Sequence, residues 1–414
     1  MEQQDHHLGT VRRRRVFYIP GYDPFHPRRY RELYRKEATA QARISGYDIS
    51  LLPKAKRDAF GWRVSSTQGG QTVEADISVL YWADIVQNSM NVGVLGTYWQ
   101  MLRTAWTYMA SSVVWRLAML RIGPLIAALY PLYMLIGQLC LAIGLGIFVG
   151  LSAEGLLLRV WPSGWGAGLL VRFAAVICIA WAVLNWFCKK DSKFLAYYLM
   201  HDFAFSARWG GAYPSALEAR LQDFRARITA ALAGEYDEVL VVGHSSGVHL
   251  GVSVLADMLR DGLPAPPPHL AFLSLGHVVP MVSFLKDAQR LRGDLADLSM
   301  ADGMTWVDVT APGDGCTFAL CDPVAVTGMA QPGQKWPLVI SAAFTQSLSP
   351  ARWKELRWRF FRLHFQYLCA FDAPKDYDYF AITAGPMTLA DRYRWRGHSR
   401  SRFGSAVSKY QDRL

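Results

Sequence analysis

Two long stretches without charge dominate the hydrophobic pattern of the chain. Residues 124–152 carry no charged side chain, and residues 166–188 carry only Arg172. Each is long enough to supply the ~20 apolar residues that cross a bilayer as a helix. Because neither stands at the N-terminus, neither has the position of a cleaved signal peptide. The pattern therefore predicts a transmembrane hairpin, and its length without charge disfavours the alternative of two buried core helices.

Basic residues flank the predicted hairpin on its two outer sides. They are Arg103, Arg116 and Arg121 before the first span and Lys189, Lys190 and Lys193 after the second. The connection between the spans holds only Glu154 and Arg159 as charged residues. Since short cytoplasmic segments are enriched in Lys and Arg, this distribution predicts that both outer ends are cytoplasmic. We expect a multi-pass protein of an inner or plasma membrane, with two spans and the remaining domain in the cytoplasm.

Two further segments carry apolar residues at helical spacing among polar ones. Residues 92–122 contain tryptophan, methionine and leucine side chains between Arg and Thr, and we expect an amphipathic helix in the membrane interface. Residues 193–209 have a similar aromatic stripe and are expected to lie on the membrane in the same way. Gly146 and Gly150 stand four positions apart in the first span, a spacing that favours close packing against the second span or a neighbouring chain.

Outside this region the apolar runs are short and alternate with helical patterns. The predicted strands are residues 16–19, 47–52, 61–66, 72–80, 239–242, 270–275, 305–309 and 337–340. The predicted helices are residues 28–44, 215–232 and 248–259. Gly69 and Gly70 join two of the strands as a hairpin. Strands that alternate with helices indicate an α/β fold with a mainly parallel sheet and helices on both faces.

The sequence GHSSG at residues 243–247 stands between a predicted buried strand and a predicted helix. In this arrangement a sharp turn lifts the serine hydroxyl clear of the sheet. Glycines are needed on both sides because side chains there would collide in so tight a turn. Ser245 is therefore the candidate nucleophile, and the alternative is a glycine-rich turn with a buried serine.

At this motif the chain resembles the α/β-hydrolase superfamily of lipases and esterases, over residues 16–84 and 200–390. The resemblance implies an α/β-hydrolase-like sheet, with the transmembrane hairpin inserted in the cap region. The expected organisation is a basic N-terminal arm (1–15), the first part of the hydrolase domain (16–90), a membrane insertion (91–200), the second part of the domain (201–390) and a basic tail (391–414).

The resemblance also implies that an acid and then a histidine follow the nucleophile along the chain. Asp314, in the loop after the strand at 305–309, is the first choice for the acid, and Asp322 is the second. Only His364 and His398 follow Asp314. We favour His364, which stands among aromatic residues that exclude water, over the histidine in the basic tail. The interval from acid to histidine is longer than the superfamily usually has, and a structural histidine packed among aromatics is the alternative.

Acyl transfer by a serine also needs N–H donors for the developing oxyanion. The backbone N–H of Ser246 is one candidate, because it directly follows the nucleophile. The second is expected in the loop after an early strand, where Gly21 and Tyr22 stand. The N–H of Tyr22 is therefore the other candidate, with Gly21 allowing the close approach of the backbone.

Composition bears on the compartment and on other kinds of site. The chain has 414 residues, 52% of them hydrophobic, and six cysteines without a paired framework, as expected for reduced thiols. Cys316 and Cys321 lack the second pair of ligands that a zinc site needs and are expected to be structural. The sequence has neither a P-loop nor a zinc-binding cluster, so no metal and no cofactor are predicted.

The net charge of +11 is concentrated in two basic blocks, at residues 12–15 and 392–402. No signature of a nucleic-acid-binding fold accompanies them, so no nucleic-acid partner is expected. Attraction to anionic lipid head groups and a simple solvated surface remain open as roles for these blocks.

These features predict a membrane-anchored serine hydrolase that cleaves a lipid-like acyl ester through Ser245, His364 and Asp314. The expected partners are the lipid bilayer and a hydrophobic acyl-ester substrate, and the oligomeric state is left open. The lipid-like substrate is inferred from fold and location. Two alternatives remain. The same residues could transfer the acyl group to an acceptor other than water, or the fold could serve as a non-catalytic membrane scaffold.

Overall fold

The computed structural model describes residues 10–52, 60–263 and 269–414, which form a mixed α/β fold around one sheet. Its strands are β1 (Arg13–Ile19), β2 (Asp48–Leu52), β3 (Gly61–Gln68), β4 (Gln71–Val79), β5 (Glu238–His244), β6 (His269–Leu275), β7 (Met304–Thr310) and β8 (Leu338–Ser341). The order across the sheet is β2-β3-β4-β1-β5-β6-β7-β8. All pairs from β4 to β8 are parallel, while β3 is antiparallel to both of its neighbours. The prediction of a mainly parallel sheet is confirmed, with strand bounds within a few residues of those expected.

Helices cover both faces of this sheet. They are α1 (Arg28–Ser45), α2 (Ala83–Met90), α3 (Gly93–Ala110), α4 (Val113–Leu120), α5 (Ile122–Val160), α6 (Trp165–Lys189), α7 (Asp191–Phe194), α8 (Ala196–Arg208), α9 (Ser215–Leu232), α10 (Gly247–Asp261), α11 (Pro280–Ser283), α12 (Gln289–Met300), α13 (Pro323–Thr327), α14 (Phe344–Ser347), α15 (Pro350–Leu356), α16 (Phe360–His364), α17 (Tyr379–Ala384) and α18 (Leu389–Tyr393). Side chains alternate across β1, so Val16 and Tyr18 join the core under α1. Phe17 and Ile19 join the opposite core under α9 and α10.

The basic block at residues 12–15 is not a separate arm. β1 begins at Arg13, so three of the four arginines belong to the sheet. The Arg14 side chain is fully buried and donates to Glu238 at 2.5 Å and to the carbonyl oxygens of Gly385 and Met387 at 2.6 Å. Burial of this cation is tolerable because a carboxylate and two carbonyl groups satisfy it. The arm predicted at 1–15 is therefore wrong at its C-terminal end, and residues 1–9 lie outside the described residues.

Replacing Arg14 by methionine would leave Glu238 buried and unpaired. We expect Arg14→Met to lower the free energy of unfolding by about 3–5 kcal/mol. Arg13 offers a matched control, because its ion pair with Glu235 is exposed, with 50% and 90% of the two side chains accessible. Arg13→Met should cost about 1 kcal/mol or less. Chemical denaturation of both variants in detergent measures the difference, and equal losses would contradict the prediction.

Two helices, α5 and α6, are long and apolar enough to cross a membrane by length and composition. Their most apolar windows have a mean hydropathy of 2.3, and only 28% and 11% of these windows is buried inside the protein. Core helices of a soluble domain would be covered on most sides, so this exposure disfavours that alternative. α6 nearly coincides with the predicted residues 166–188, whereas α5 extends beyond the predicted 124–152 at both ends.

The two apolar helices pack closely against each other through small residues of α5. A Cβ atom added at Gly146 would lie 2.9 Å from the carbonyl oxygen of Val176, and one at Gly150 would lie 2.8 Å from that of Arg172. Such separations leave no room for a side chain, so the predicted role of the two glycines in helix packing is confirmed. Near the turn of the hairpin, Arg172 forms an ion pair with Glu154 at 3.3 Å.

The region predicted as one interfacial helix, residues 92–122, contains two helices instead. α3 and α4 are separated at Ser111 and Ser112, and Ser112 has a φ of +61°, which no continuous right-handed helix contains. The apolar surface that suggested an interfacial position is nevertheless present. Trp99, Trp106 and Trp115 are each about two thirds exposed or more.

The segment at residues 193–209 does not lie on the outside of the protein, so its predicted position on the membrane surface is wrong. Its main helix, α8, is packed between α3 and α5, and Ala196, Met200 and Ala204 are buried there. The aromatic stripe that resembled a membrane-facing surface instead faces the protein interior.

The basic tail at residues 391–414 is packed against the domain. Its first residues complete α18, and Phe403 pairs with Cys321 as an isolated bridge. Arg402 forms an ion pair with the buried Asp322, and Val407 is buried. The predicted basic tail is thus held on the domain, while Arg394, Arg396 and Arg400 remain exposed and part of the positive charge is paired within the fold.

Candidate active site

The serine of the GHSSG motif stands at a sharp turn between β5 and α10. Ser245 has a φ of +56°, a region that non-glycine residues rarely occupy, and its N–H donates to the carbonyl oxygen of Leu275 at 2.9 Å. The strand before it and the helix after it are those predicted. Because such backbone strain costs about 1–3 kcal/mol, it persists where the surrounding structure holds it, and it is common at active sites.

Two glycines allow the turn to approach the neighbouring strand. A Cβ atom at Gly247 would overlap the carbonyl oxygen of Ile19 at the end of β1. A Cβ atom at Gly21 would lie 2.9 Å from the Ser245 Cβ and 3.4 Å from its Oγ. The turn after β1 therefore lies directly against the serine, as expected of a loop that supplies an oxyanion donor.

The predicted acid and histidine are hydrogen-bonded to each other. His364 Nδ1 and Asp314 Oδ2 lie 2.8 Å apart, and both side chains are buried. The other oxygen of the carboxylate, Oδ1, accepts from the N–H of Cys316 at 2.9 Å. Because a carboxylate accepts and does not donate, we assign the proton of the neutral ring to Nδ1. The Nε2 atom of His364 is thereby left as the basic nitrogen.

One cavity of about 90 Å³ brings the predicted residues together. Ser245, Ser246, Tyr22 and His364 all contribute to its wall. Among the described residues, His364 hydrogen-bonds to Asp314 and His244, and no hydrogen bond joins it to Ser245. Catalytic hydrogen bonds in ligand-free sites are often long and tighten only when substrate binds. That Ser245 and His364 line one cavity is therefore the observation that relates the two side chains.

The backbone N–H groups of Tyr22 and Ser246 are available as donors. Within the described part of the chain, neither donates to a protein acceptor. Tyr22 and Ser246 both line the cavity beside Ser245. Unused N–H groups on two sides of a serine can stabilise negative charge that develops on a bound carbonyl oxygen.

The second choices from the sequence lie elsewhere. Asp322 is buried at the start of α13, where it accepts from the N–H groups of Val324 and Ala325 and pairs with Arg402. His398 accepts from the N–H of Val339 in β8 at 3.1 Å. Neither side chain lines the cavity around Ser245. Both have structural roles in holding the C-terminal segment on the domain.

His244 supports the position of His364. The two rings are 4.8 Å apart, and the Nε2–H of His244 donates to the backbone carbonyl of His364 at 3.0 Å. Burial, and then the neighbouring His364, lowers the pKa of His244 to about 3, so this ring is neutral at physiological pH. The sequence did not indicate this role, because the contact of His244 with a residue 120 positions away depends on how the chain folds.

Asp202 is a functional candidate that sequence reasoning missed. It lies on α8, lines the same cavity, and burial raises its pKa to about 7, with the nearby His364 lowering it in part. The available signal was an acidic residue within the aromatic stripe at residues 193–209. The stripe was interpreted as the apolar side of a helix on the membrane surface. On such a helix an acidic residue is expected on the side that faces water, so it did not indicate a site.

Three potential metal ligands also meet at this point. Ligand atoms of Asp314, Cys316 and His364 lie within 4.8 Å of one another, so Cys316 belongs to the site and is not merely structural. Burial, and then Asp314, raises the pKa of the Cys316 thiol well above its ordinary value. The closeness of the three groups is accounted for by hydrogen bonds, since Asp314 binds both His364 Nδ1 and the N–H of Cys316.

No protein-family model, no curated protein and no solved structure matches the chain. The residues gathered around the cavity are therefore the basis on which a function can be assigned. They comprise a serine at a strained turn, a hydrogen-bonded acid–histidine pair and unused backbone N–H donors. This set of groups is the one that acyl transfer through a serine nucleophile requires.

Proposed function

We propose that the chain is a membrane-anchored serine hydrolase of the α/β-hydrolase type that cleaves a carboxylic ester with a lipid-like acyl group. One observation carries the proposal. Ser245, at positive φ between β5 and α10, lines the same cavity as His364, and Asp314 lies behind this histidine, hydrogen-bonded to its Nδ1. The non-catalytic scaffold would require no such convergence of residues that are far apart in the chain.

In the proposed reaction, His364 Nε2 takes the proton of the Ser245 hydroxyl while the Oγ atom attacks the ester carbonyl. Asp314 holds the ring in the required tautomer and stabilises its positive charge. The N–H groups of Tyr22 and Ser246 stabilise the oxyanion of the tetrahedral intermediate. Collapse breaks the bond to the alcohol, which leaves with the proton from His364. Water, activated by the same histidine, then releases the acid and restores the serine.

The lining of the cavity supports an apolar acyl group. Apart from the residues of the proposed reaction, most of the wall is apolar, with contributions from Leu199, Phe203, Val278, Met281, Val282 and Phe361. The cavity is small, about 90 Å³, and we expect it to hold the reacting end of the substrate. The remainder of a lipid-like substrate would extend beyond the cavity.

The start of α5 supports a site close to lipid. Pro124 and Ala127, in the first turns of this helix, contribute to the cavity wall. Gly123 packs against the loop of Asp314, because a Cβ atom there would lie 2.9 Å from the Gly315 carbonyl oxygen. The same helix continues into the apolar segment that we propose to span the membrane. With both ends of the hairpin flanked by basic residues, the proposed active site is cytoplasmic.

Fluorophosphonate labelling of the detergent-solubilised protein tests the proposed activity. The probe reacts with activated serines, so we expect covalent labelling on the peptide that contains Ser245, together with hydrolysis of octanoate esters. Analysis of the products with added alcohols separates a hydrolase from an acyltransferase, since only the latter gives a new ester as the main product. A folded protein that neither reacts with the probe nor cleaves any ester would contradict the proposal.

Shortening the apolar hairpin tests the proposed anchoring. Residues 145 and 177 can be joined by a short Gly-Ser linker, because Gly146 and Val176 are in direct contact across the two helices. This change removes the outer half of the hairpin and leaves the part that packs against α8. We expect alkaline carbonate to release the shortened protein from membranes, whereas the intact chain stays in the pellet. Release of both proteins would count against membrane-spanning helices.

A further inference from the structure

Asp202 is the acidic side chain of the cavity that lacks a protein partner. Asp23, which also lines the cavity, accepts from the N–H of Phe25 at 2.9 Å and pairs with Arg29 at 3.2 Å. Asp314 is bound by His364 and Cys316. Among the described residues, no hydrogen bond or ion pair reaches the carboxylate of Asp202. Its hydrogen-bonding capacity is therefore available to a bound molecule.

Among the described groups around Asp202, His364 offsets its charge only in part. The charge of Asp202 interacts with five titratable groups. They are Tyr198 on α8 itself and, on neighbouring elements, Tyr22, Tyr108, Cys316 and His364. The three tyrosine hydroxyls are used elsewhere, on Ser89, on the Met281 carbonyl and on the Tyr22 carbonyl. No Lys or Arg belongs to the wall of this cavity as the structure describes it. An acid that lines a cavity, half-buried and without a hydrogen-bond partner, lowers stability, so its presence beside the serine points to a ligand.

We propose that Asp202 is a specificity-determining residue, which accepts a hydrogen bond from a hydroxyl on the alcohol part of an uncharged ester and rejects anionic esters. This inference rests on the proposed function, since it concerns the substrate of the same site. Among the described residues, no Lys or Arg lines the cavity that could bind a carboxylate or phosphate of the substrate. Glycerol-like esters have the required chemistry, whereas the anionic head group of an acidic phospholipid would be repelled.

The protonation of Asp202 gives this discrimination a definite pH dependence. Burial raises its pKa to about 7, so the carboxyl is mostly neutral below that pH and mostly charged above it. A neutral carboxyl repels an anionic ester little, and a carboxylate repels it strongly. Rejection of anionic esters should therefore increase as the pH rises through about 7. Two charges a few ångströms apart near a protein surface change a rate by on the order of 10- to 100-fold.

Three esters of one acyl group measure the effect: ethyl, 2-hydroxyethyl and carboxymethyl octanoate. The last is anionic throughout the range, because its carboxyl has an ordinary pKa of about 3.5. We expect the ratio of kcat/KM for the ethyl ester to that for the anionic ester to increase at least tenfold between about pH 5.5 and about pH 8.5. A pH effect on steps that the three esters share cancels in the ratio, so the ratio reports the effect of charge beside the alcohol part without any mutation.

The variant Asp202→Asn keeps the shape of the side chain and removes its charge. In this variant we expect the ratio to lose its pH dependence and the preference for the 2-hydroxyethyl over the ethyl ester to decrease severalfold. The control is Asp223→Asn on α9, whose side chain is 75% exposed and outside the cavity. That control should keep the wild-type ratios.

The failure of this inference is distinguishable from the failure of the proposed function. A protein that reacts with the fluorophosphonate and cleaves the ethyl ester, but shows a pH-independent ratio, would overturn the role of Asp202 alone. The same conclusion follows if Asp202→Asn and wild type give equal ratios. A protein without labelling and without hydrolysis of any of the three esters would overturn both.

Discussion

Replacing Ser245 by alanine is expected to lower kcat for octanoate ester hydrolysis by about 10⁴- to 10⁶-fold and to abolish fluorophosphonate labelling. The hydroxyl is the only group on the side chain that can form the acyl-enzyme, and alanine removes it without adding volume. The N–H donors of Tyr22 and Ser246 remain, so any residual rate would reflect oxyanion stabilisation alone.

The control for this experiment is Ser405→Ala, because Ser405 is exposed in the C-terminal segment and lies outside the cavity. It should retain wild-type labelling and rates. Thermal unfolding of both variants verifies that they are folded. Substantial hydrolysis by Ser245→Ala, above the rate without enzyme, would show that another residue carries the reaction.

Replacing His364 by glutamine is expected to lower kcat by about 10⁴-fold or more. Glutamine can donate to Asp314 as the ring does at 2.8 Å, but it cannot take the proton of the Ser245 hydroxyl. Labelling by the fluorophosphonate should slow in parallel, since the probe reacts with the same activated serine. Asp314→Asn should give a loss of about 10⁴-fold through the wrong ring tautomer, with the histidine itself intact.

The matched control is His398→Gln, which removes the other histidine that follows the acid in the chain. His398 accepts a hydrogen bond from the N–H of Val339 and is outside the cavity. We expect a modest decrease of the unfolding midpoint and little change in kcat. If the two histidine variants lost equal activity, the assignment of His364 as the base would be wrong.

The parts of the site that could be predicted are those that local sequence determines. The turn at Ser245 depends on a short apolar strand, on glycines at fixed positions and on an amphipathic helix, all within about 20 residues. His364 could be chosen because only two histidines, His364 and His398, follow Asp314 in the chain. The hydrogen bond between His364 and Asp314, across 50 positions of sequence, is a tertiary contact that the order of residues alone does not reveal.

The features that sequence reasoning missed depend on which helices and strands pack against each other in the folded protein. The aromatic stripe of α8 has the pattern of a membrane-facing helix, because a protein core and a lipid surface select the same side chains. Packing against α3 and α5 decides between them and brings Asp202 to the cavity. Arg14 is a similar case, since only the position of Glu238 on the adjacent strand allows its burial.

In the proposed arrangement, in which α5 spans the membrane, the bilayer can act mechanically on the cavity beside Ser245. α5 is one helix of 39 residues, so at ~1.5 Å per residue it is much longer than a ~30 Å hydrocarbon core. A helix in this situation adjusts its tilt when membrane thickness changes. Its first turns form part of the wall beside Ser245, and Pro131 is the point at which it can bend. A change in membrane thickness would then move the first turns of α5 and with them the wall of the proposed catalytic cavity. Bending at Pro131 would reduce this movement.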